Sequence, residues 1–230
     1  MTLRNRITRF VRSYRSFLVF VVSMLLFRSA FADWMNVPSG SMNPTLVEGD
    51  RILVDKMAYG LRVPFTTTRL TRGEDPRRGD IVIFASPEDG VTLVKRVIGL
   101  PGDTVAMNEE RLLVNGAAAD YVPAHDVADK DLLQSTREQD HAYLTEQLAN
   151  RPHAIMVLPQ RPAMRSFGPV RVPQDQYLVL GDSRDNSKDS RYIGFVPRAS
   201  IVGRVSRVAY SLDPDRRYLP RPDRTLVPLR

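Results

Sequence analysis

RRGDIVIFASPEDGVTLVKRVIGLPGDTV, residues 77–105, holds the pattern that decides the fold. Ile81–Phe84 is a short β-branched and aromatic run. Arg-Gly-Asp precedes it and Ser-Pro-Glu-Asp-Gly follows it, both turn compositions. A second apolar segment starts at Val91 and stops at Pro101-Gly102-Asp103. Runs this short, closed by Gly and Pro, read as strands rather than helices. The same grammar recurs on both sides. DRILVDKMAYG (50–60), QYLVLGD (176–182) and IVGRVSRVAYSL (201–212) are strand-like, and RLLVNGAA (111–118) contains Asn115-Gly116, a strong hairpin signal. The fold class is therefore mainly β, with antiparallel sheet.

Residues 120–150 break the pattern. They hold seven acids against two bases, and Leu132, Leu133, Leu144 and Leu148 fall at a weakly helical spacing. We read 106–169 as an insertion, and 35–105 with 170–230 as the β domain that carries it. DPDRRYLPRPDRTLVPLR at the C-terminus reads as an extended strand or a solvated tail, basic enough to meet anionic lipid. No internal repeat is apparent.

Residues 1–32 carry Arg4, Arg6, Arg9, Arg12, Arg15 and Arg28 and no acid. Of 33 basic residues, removing these six leaves 27 against 26 acidic ones. The net charge of +7 thus belongs mainly to the N-terminal segment, and the rest is nearly neutral. A nucleic-acid partner is not expected, because such a domain would carry the excess itself. Cysteine is absent, which removes disulfides, thiol nucleophiles and cysteine-based metal centres. No metal and no cofactor are expected.

FLVFVVSMLLF, Phe17–Phe27, is uncharged and follows the arginine arm. As a helix it spans ~16 Å against a hydrocarbon core of ~30 Å. Extension through Ser13–Ser16 and Arg28–Trp34 gives about 20 residues, with Arg15 and Arg28 snorkelling and Trp34 at the far interface. Residues 16–34 are expected to form one transmembrane anchor behind a cytoplasmic arm, 1–15. The positive-inside rule then puts the body across the membrane. Two other readings stay open. One is a signal peptide cut after Ala30-Phe31-Ala32, although Arg28 weighs against it. The other is a buried core helix.

VPSGSMNPTL, residues 37–46, has the small, turn-prone look of a nucleophile site. It lacks a G-x-S-x-G elbow and a nearby histidine. A serine hydroxyl needs a base. His125, His141 and His153 all fall in the 106–169 stretch and are expected on its surface. The other familiar base is lysine, which must be desolvated. A fall of roughly 2 units from ~10.4 costs about 3 kcal/mol. Lys95 lies in TLVKRVIGL, where strand alternation sets it with Leu93 and Val97, opposite Val94 and Arg96. The ordinary alternative is an edge-strand lysine pointing to solvent. GDSRDNSKDSRYIGFVP, 181–197, crowds polar residues between two apolar strands. It is either a solvated loop held by Asp–Arg pairs or a network that positions a catalytic group.

Taken together, PSGSMNPTL, RGDIVIF, VKRVIGLPGD and GDSRDNSKDSRYIGFVP, in that order after an apolar N-terminal segment, resemble the bacterial type I signal peptidases (leader peptidases). The motifs are long and span 35–105 and 170–212. The resemblance implies a membrane-bound β catalytic domain of that type, at the plasma or inner membrane, which removes signal peptides from exported preproteins. It implies Ser41 as nucleophile and Lys95 as general base, with Ser187 hydrogen-bonding the lysine. It also implies an oxyanion hole from the Ser41 N–H and the Ser39 hydroxyl. Gly40 leaves room for the substrate backbone. Asp189 and Arg191 match the carboxylate and guanidinium that support the Ser187 loop, and Gly181 and Asp182 match the same motif. Met35, Val37, Met42, Leu46 and Val94 should line shallow pockets that admit only small side chains, giving a small-x-small rule. Preproteins and the lipid bilayer are the implied partners. The 106–169 stretch matches no motif, and the single anchor departs from relatives with two. A dedicated serine–lysine peptidase and a non-enzymatic β module binding export clients remain as other classes. Penicillin-binding proteins need S-x-x-K, which is absent around Ser39 and Ser41.

Overall fold

The computed structural model describes residues 14–30, 32–61, 70–124, 141–148 and 151–229. His125, Leu132 and Leu133 lie outside these. An apolar helix, α1 (Arg15–Ala30), comes first, with Phe17, Val19, Phe20 and Met24 exposed. Among the described residues no helix is long and apolar enough to cross a membrane. The helix has 16 residues, or about 24 Å.

Strand β1 (Ala32–Asn36) begins one residue later and pairs antiparallel with β2 (Asp50–Asp55). Ala32, Asp33 and Trp34, expected to complete the membrane segment, are instead opposite Asp55, Val54 and Leu53. The reason is local. Asp33 is met by Lys56 at 3.1 Å, and Met35 turns into the core while Trp34 stays exposed.

The main sheet continues from β2 to β14 (Ile201–Asp213), β3 (Ile81–Ala85), β4 (Thr92–Gly99), β12 (Gln176–Leu180) and β13 (Val196–Pro197), each pair antiparallel. Its centre is buried on both faces. On β3, Ile81 and Ile83 join a cluster with Met42, Leu46, Ile52 and Val205, while Val82 and Phe84 join Tyr59, Val97, Val179 and Ile201. Each such side chain contributes about 1.5–3 kcal/mol. Strand β12 covers β4 only from Arg96 to Gly99. Among the described residues, Thr92–Lys95 of β4 and the outer edge of β1 therefore pair with no further strand.

Two smaller sheets follow. One is β11 (Phe167–Arg171), β5 (Thr104–Asn108), β6 (Arg111–Val114) and β7 (Ala117–Ala118), in that order. The β6–β7 turn has Asn115 and Gly116 at φ 53° and 80°, the left-handed pair that such a hairpin requires. The other is β10 (Arg151–Val157), β9 (Ala142–Leu148) and β8 (Asp120–Pro123). Leu144 and Leu148 thus lie on a strand, not a helix. Strand β9 is paired on both sides, and Glu146 and Leu148 alternate inward with period two. Both ends of the 106–169 stretch fall inside paired strands, with Val105 opposite Val170.

The C-terminus is not a solvated tail. Residues after β14 fold back, and β15 (Leu219–Pro220) and β16 (Val227–Pro228) pair with it. Arg224 is buried and donates to both oxygens of the fully buried Asp50, at 3.0 and 2.6 Å. A buried carboxylate needs such a partner, and this draws the chain in.

Candidate active site

The segment after β1 forms a closed loop. Val37 N–H donates to Asp50 C=O at 2.9 Å and Gly49 N–H to Val37 C=O at 3.2 Å. Within it Gly40–Met42 makes one tight 3-10 turn, and Met42 and Leu46 are buried as anchors below it. Ser41, between them, is only partly buried. The Asp50 carboxylate also accepts from Val47 N–H, so the Asp50–Arg224 pair braces the loop from beneath.

Lys95 reaches this turn from β4. Its Nζ lies 2.8 Å from Ser41 Oγ and donates to the Val94 carbonyl at 3.0 Å. The residue is 2% exposed. Burial pushes its amine down to about 8; the Asp189 and Asp182 carboxylates oppose the shift and the Arg191 guanidinium adds to it. Leu93 and Val97 share a core cluster with Val82, the residue opposite Lys95, so that face of β4 is apolar. The Ser39 and Ser41 hydroxyls are 3.5 Å apart, and Ser39 does not cap the turn it precedes.

The 181–191 loop crosses behind. Ser183 N–H donates to the Ser41 carbonyl at 3.2 Å. The hydrogen bond expected from Ser187 to Lys95 is not made: among the described residues Ser187 Oγ is buried without a hydrogen-bond partner. It packs instead against Gly181, where a Cβ would lie 2.2 Å from Ser187 Oγ and 2.5 Å from the Ser41 carbonyl oxygen. Asp189 caps the short helix α2 (Ser190–Ile193), accepts Gly181 N–H at 3.0 Å, and is gripped by Arg191 through two bonds of 2.8 Å. Met35, Val37, Met42, Leu46 and Val94 come together in one cluster. Met35 and Val94 stay half-buried at its edge, and the other three are buried.

Several polar groups here were not singled out by sequence reasoning. Arg96, on the opposite face of β4 from Lys95, is 1% exposed and forks onto Asp182 at 2.8 and 2.7 Å. Thr45 donates to the same carboxylate at 2.5 Å. Burial alone would raise Asp182; Arg96 and Thr45 outweigh it and hold the acid below its usual range. An arginine inside an apolar strand was the available signal, since a buried guanidinium must find an acid. His153 is not a surface histidine. Its side chain is buried, with Nε2 3.2 Å from Glu146. His141 stays half-buried, edge-on to Tyr143. Among the described residues no group of acids and histidines could hold a metal ion.

The family described as signal peptidase, peptidase S26, matches residues 9–210. Signal peptidase I of Pseudomonas fluorescens is 37% identical over 220 residues, covering 90% of this chain and 75% of that one. The Pseudomonas aeruginosa protein of the same name gives the same identity and coverage. A crystal structure of a signal peptidase I from Enterococcus faecalis is 34% identical, covers 57% of this chain and 97% of that one, and superposes with a TM-score of 0.34. The match of the family over most of the chain, joined to the relatives' identity, shows that this chain belongs to the signal peptidase family, peptidase S26.

Proposed function

We propose that the chain is a type I signal peptidase working through Ser41 and Lys95, and one observation carries the reading. The lysine is buried, its amine is lowered to about 8, and it lies 2.8 Å from the serine hydroxyl. The neutral amine accepts the Ser41 proton as Oγ bonds to the scissile carbonyl carbon. The oxyanion is met by the Ser41 N–H and the Ser39 hydroxyl, two donors that together lower the barrier by several kcal/mol. As the C–N bond breaks, the Lys95 ammonium returns its proton to the leaving amine. Lys95 then deprotonates the water that hydrolyses the acyl-enzyme. Ser187, Asp189 and Arg191 support the loop behind the pair.

The substrate is an exported preprotein in extended form. Among the described residues no further strand pairs with the outer edge of β1 or with Thr92–Lys95, which leaves room for a substrate strand to join there. Met35, Val37, Met42, Leu46 and Val94 form the apolar wall that excludes large residues at the first and third positions before the cut. The enzyme sits in the plasma (inner) membrane with the arginine arm in the cytoplasm and the body on the far side. The apolar, exposed side chains of α1 and the charge asymmetry of the arm support this. No metal or cofactor enters the reaction.

The test is cleavage of a preprotein bearing an Ala-x-Ala site by the full chain in detergent, beside Ser41→Ala and Lys95→Ala. Loss in both variants is expected. Equal cleavage by all three would refute the assignment, and no cleavage by the parent would favour a dedicated peptidase or a binding module.

A further inference from the structure

Glu146 lies on β9, in the stretch for which the proposed reaction has no use. It is fully buried and is approached by three groups: Arg184 Nη2 at 2.7 Å, Tyr121 Oη at 2.5 Å and His153 Nε2 at 3.2 Å. Burial alone would raise its carboxyl; Arg184 and His153 outweigh it, and the group is held well below the ordinary range. Glu146 and His153 face each other across the β9–β10 pair, so the sheet itself fixes where the carboxylate sits.

Arg184 is the link to the nucleophile. Its side chain is 1% exposed and ends on Glu146. Its N–H donates to the Met156 carbonyl at 2.9 Å, and its C=O accepts from Arg191 at 2.5 Å. The residue before it, Ser183, gives its N–H to the Ser41 carbonyl, and Met156 N–H holds the Asp182 carbonyl at 2.9 Å. The peptide that touches Ser41 is therefore held from the β9–β10 sheet both by backbone and by one buried ion pair.

We propose that Glu146 is a positioning residue: through Arg184 it holds Ser183 N–H against the Ser41 carbonyl and so sets where the Ser41 hydroxyl stands relative to Lys95. Without the carboxylate, Arg184 is a bare charge in the interior, which a protein does not tolerate. The guanidinium turns away and takes the 183–184 backbone with it. A shift of ~1 Å at a reacting group costs on the order of 10²-fold in rate. Substrate pockets on β1 and β4 are untouched, so affinity for substrate stays.

The inference rests on Ser41 and Lys95 acting as proposed above. The full chain in detergent is assayed on the Ala-x-Ala preprotein, with Glu146→Gln, the paired Glu146→Met/Arg184→Met, and Ser41→Ala and Lys95→Ala alongside. The paired variant removes both buried charges and so protects the fold. Expected is a kcat 10- to 100-fold lower in Glu146→Gln and in the paired variant, with KM within two-fold of the parent and a retained cooperative unfolding transition. Parental kcat in either folded variant overturns the proposal, as does a loss confined to KM. Unfolding of both variants also overturns it, because Glu146 would then serve stability alone. Activity persisting in Ser41→Ala or Lys95→Ala would instead strike at the reading of the dyad.

Discussion

Lys95 is held where an amine is uncomfortable. Its folded pKa of about 8 lies below the ordinary 10.5, so at neutral pH the charged form is disfavoured by folding. Between pH 8 and 10.5 the unfolded chain binds the extra proton, and stability rises with pH across that window. Lys95→Met removes the burden. It should be inactive yet more stable than the parent by about 3 kcal/mol at pH 7, with the gain fading between pH 8 and 10.5 and absent above; urea denaturation on both sides of that window reads this. The same amine should appear in the kinetics. kcat/KM is expected to climb with an apparent pKa near 8 on the acid side, and a limb near 6 would point to a different base. Gly181 belongs to the same scale. A methyl group there meets the Ser187 hydroxyl and the Ser41 carbonyl oxygen at well under contact distance. Gly181→Ala is expected to lower kcat by at least about 100-fold, measured on the same preprotein.

The nucleophile loop is an element closed at its base by Asp50 and Arg224, residues 174 positions apart. Arg224→Ala leaves the carboxylate buried without its counter-charge, so chemical denaturation should show a loss of about 3–5 kcal/mol. That pairing also marks the limit of sequence reading. Strands β3 and β4 were legible because short apolar runs end at Gly and Pro. The β6–β7 hairpin was legible because Asn115-Gly116 suits a left-handed turn. Strand β1 was not, since Trp34 at the end of an apolar segment looks the same at a membrane interface as on an exposed strand face. Strand β9 was not legible because Leu144 and Leu148, four positions apart, fit a helical period and a period of two alike. The approach of Lys95 to Ser41 came from the resemblance of four motifs; spacing alone contains no such contact. The burial of His153 and the recapture of the C-terminus depend on partners more than a hundred residues away or across another strand, which no local pattern records.

At the level of the whole molecule, a long sheet carries the lysine and the loop of the serine, the β8–β10 sheet is tied to that loop through the 182–184 backbone, and the β5–β7 and β11 sheet packs on it through Ile98, Leu178 and Leu180. The sheet begins at Ala32, so removal of residues 1–31 should leave it whole. Such a truncated protein is expected to cleave a short peptide with kcat/KM within tenfold of the parent, and to lose the parent's co-sedimentation with lipid vesicles. Retained co-sedimentation would locate membrane binding in the body. The junction itself has a further consequence. Helix α1 ends at Ala30 and β1 starts at Ala32, so the chain from the helix end to Ser41 can reach no more than about 40 Å. With α1 embedded, the serine works on a short leash. A small-x-small sequence farther out in an emerging protein is spared by distance, whatever its side chains. Selection between a signal peptide and a look-alike inside the mature chain is then made first by altitude above the bilayer and only afterwards by the pocket.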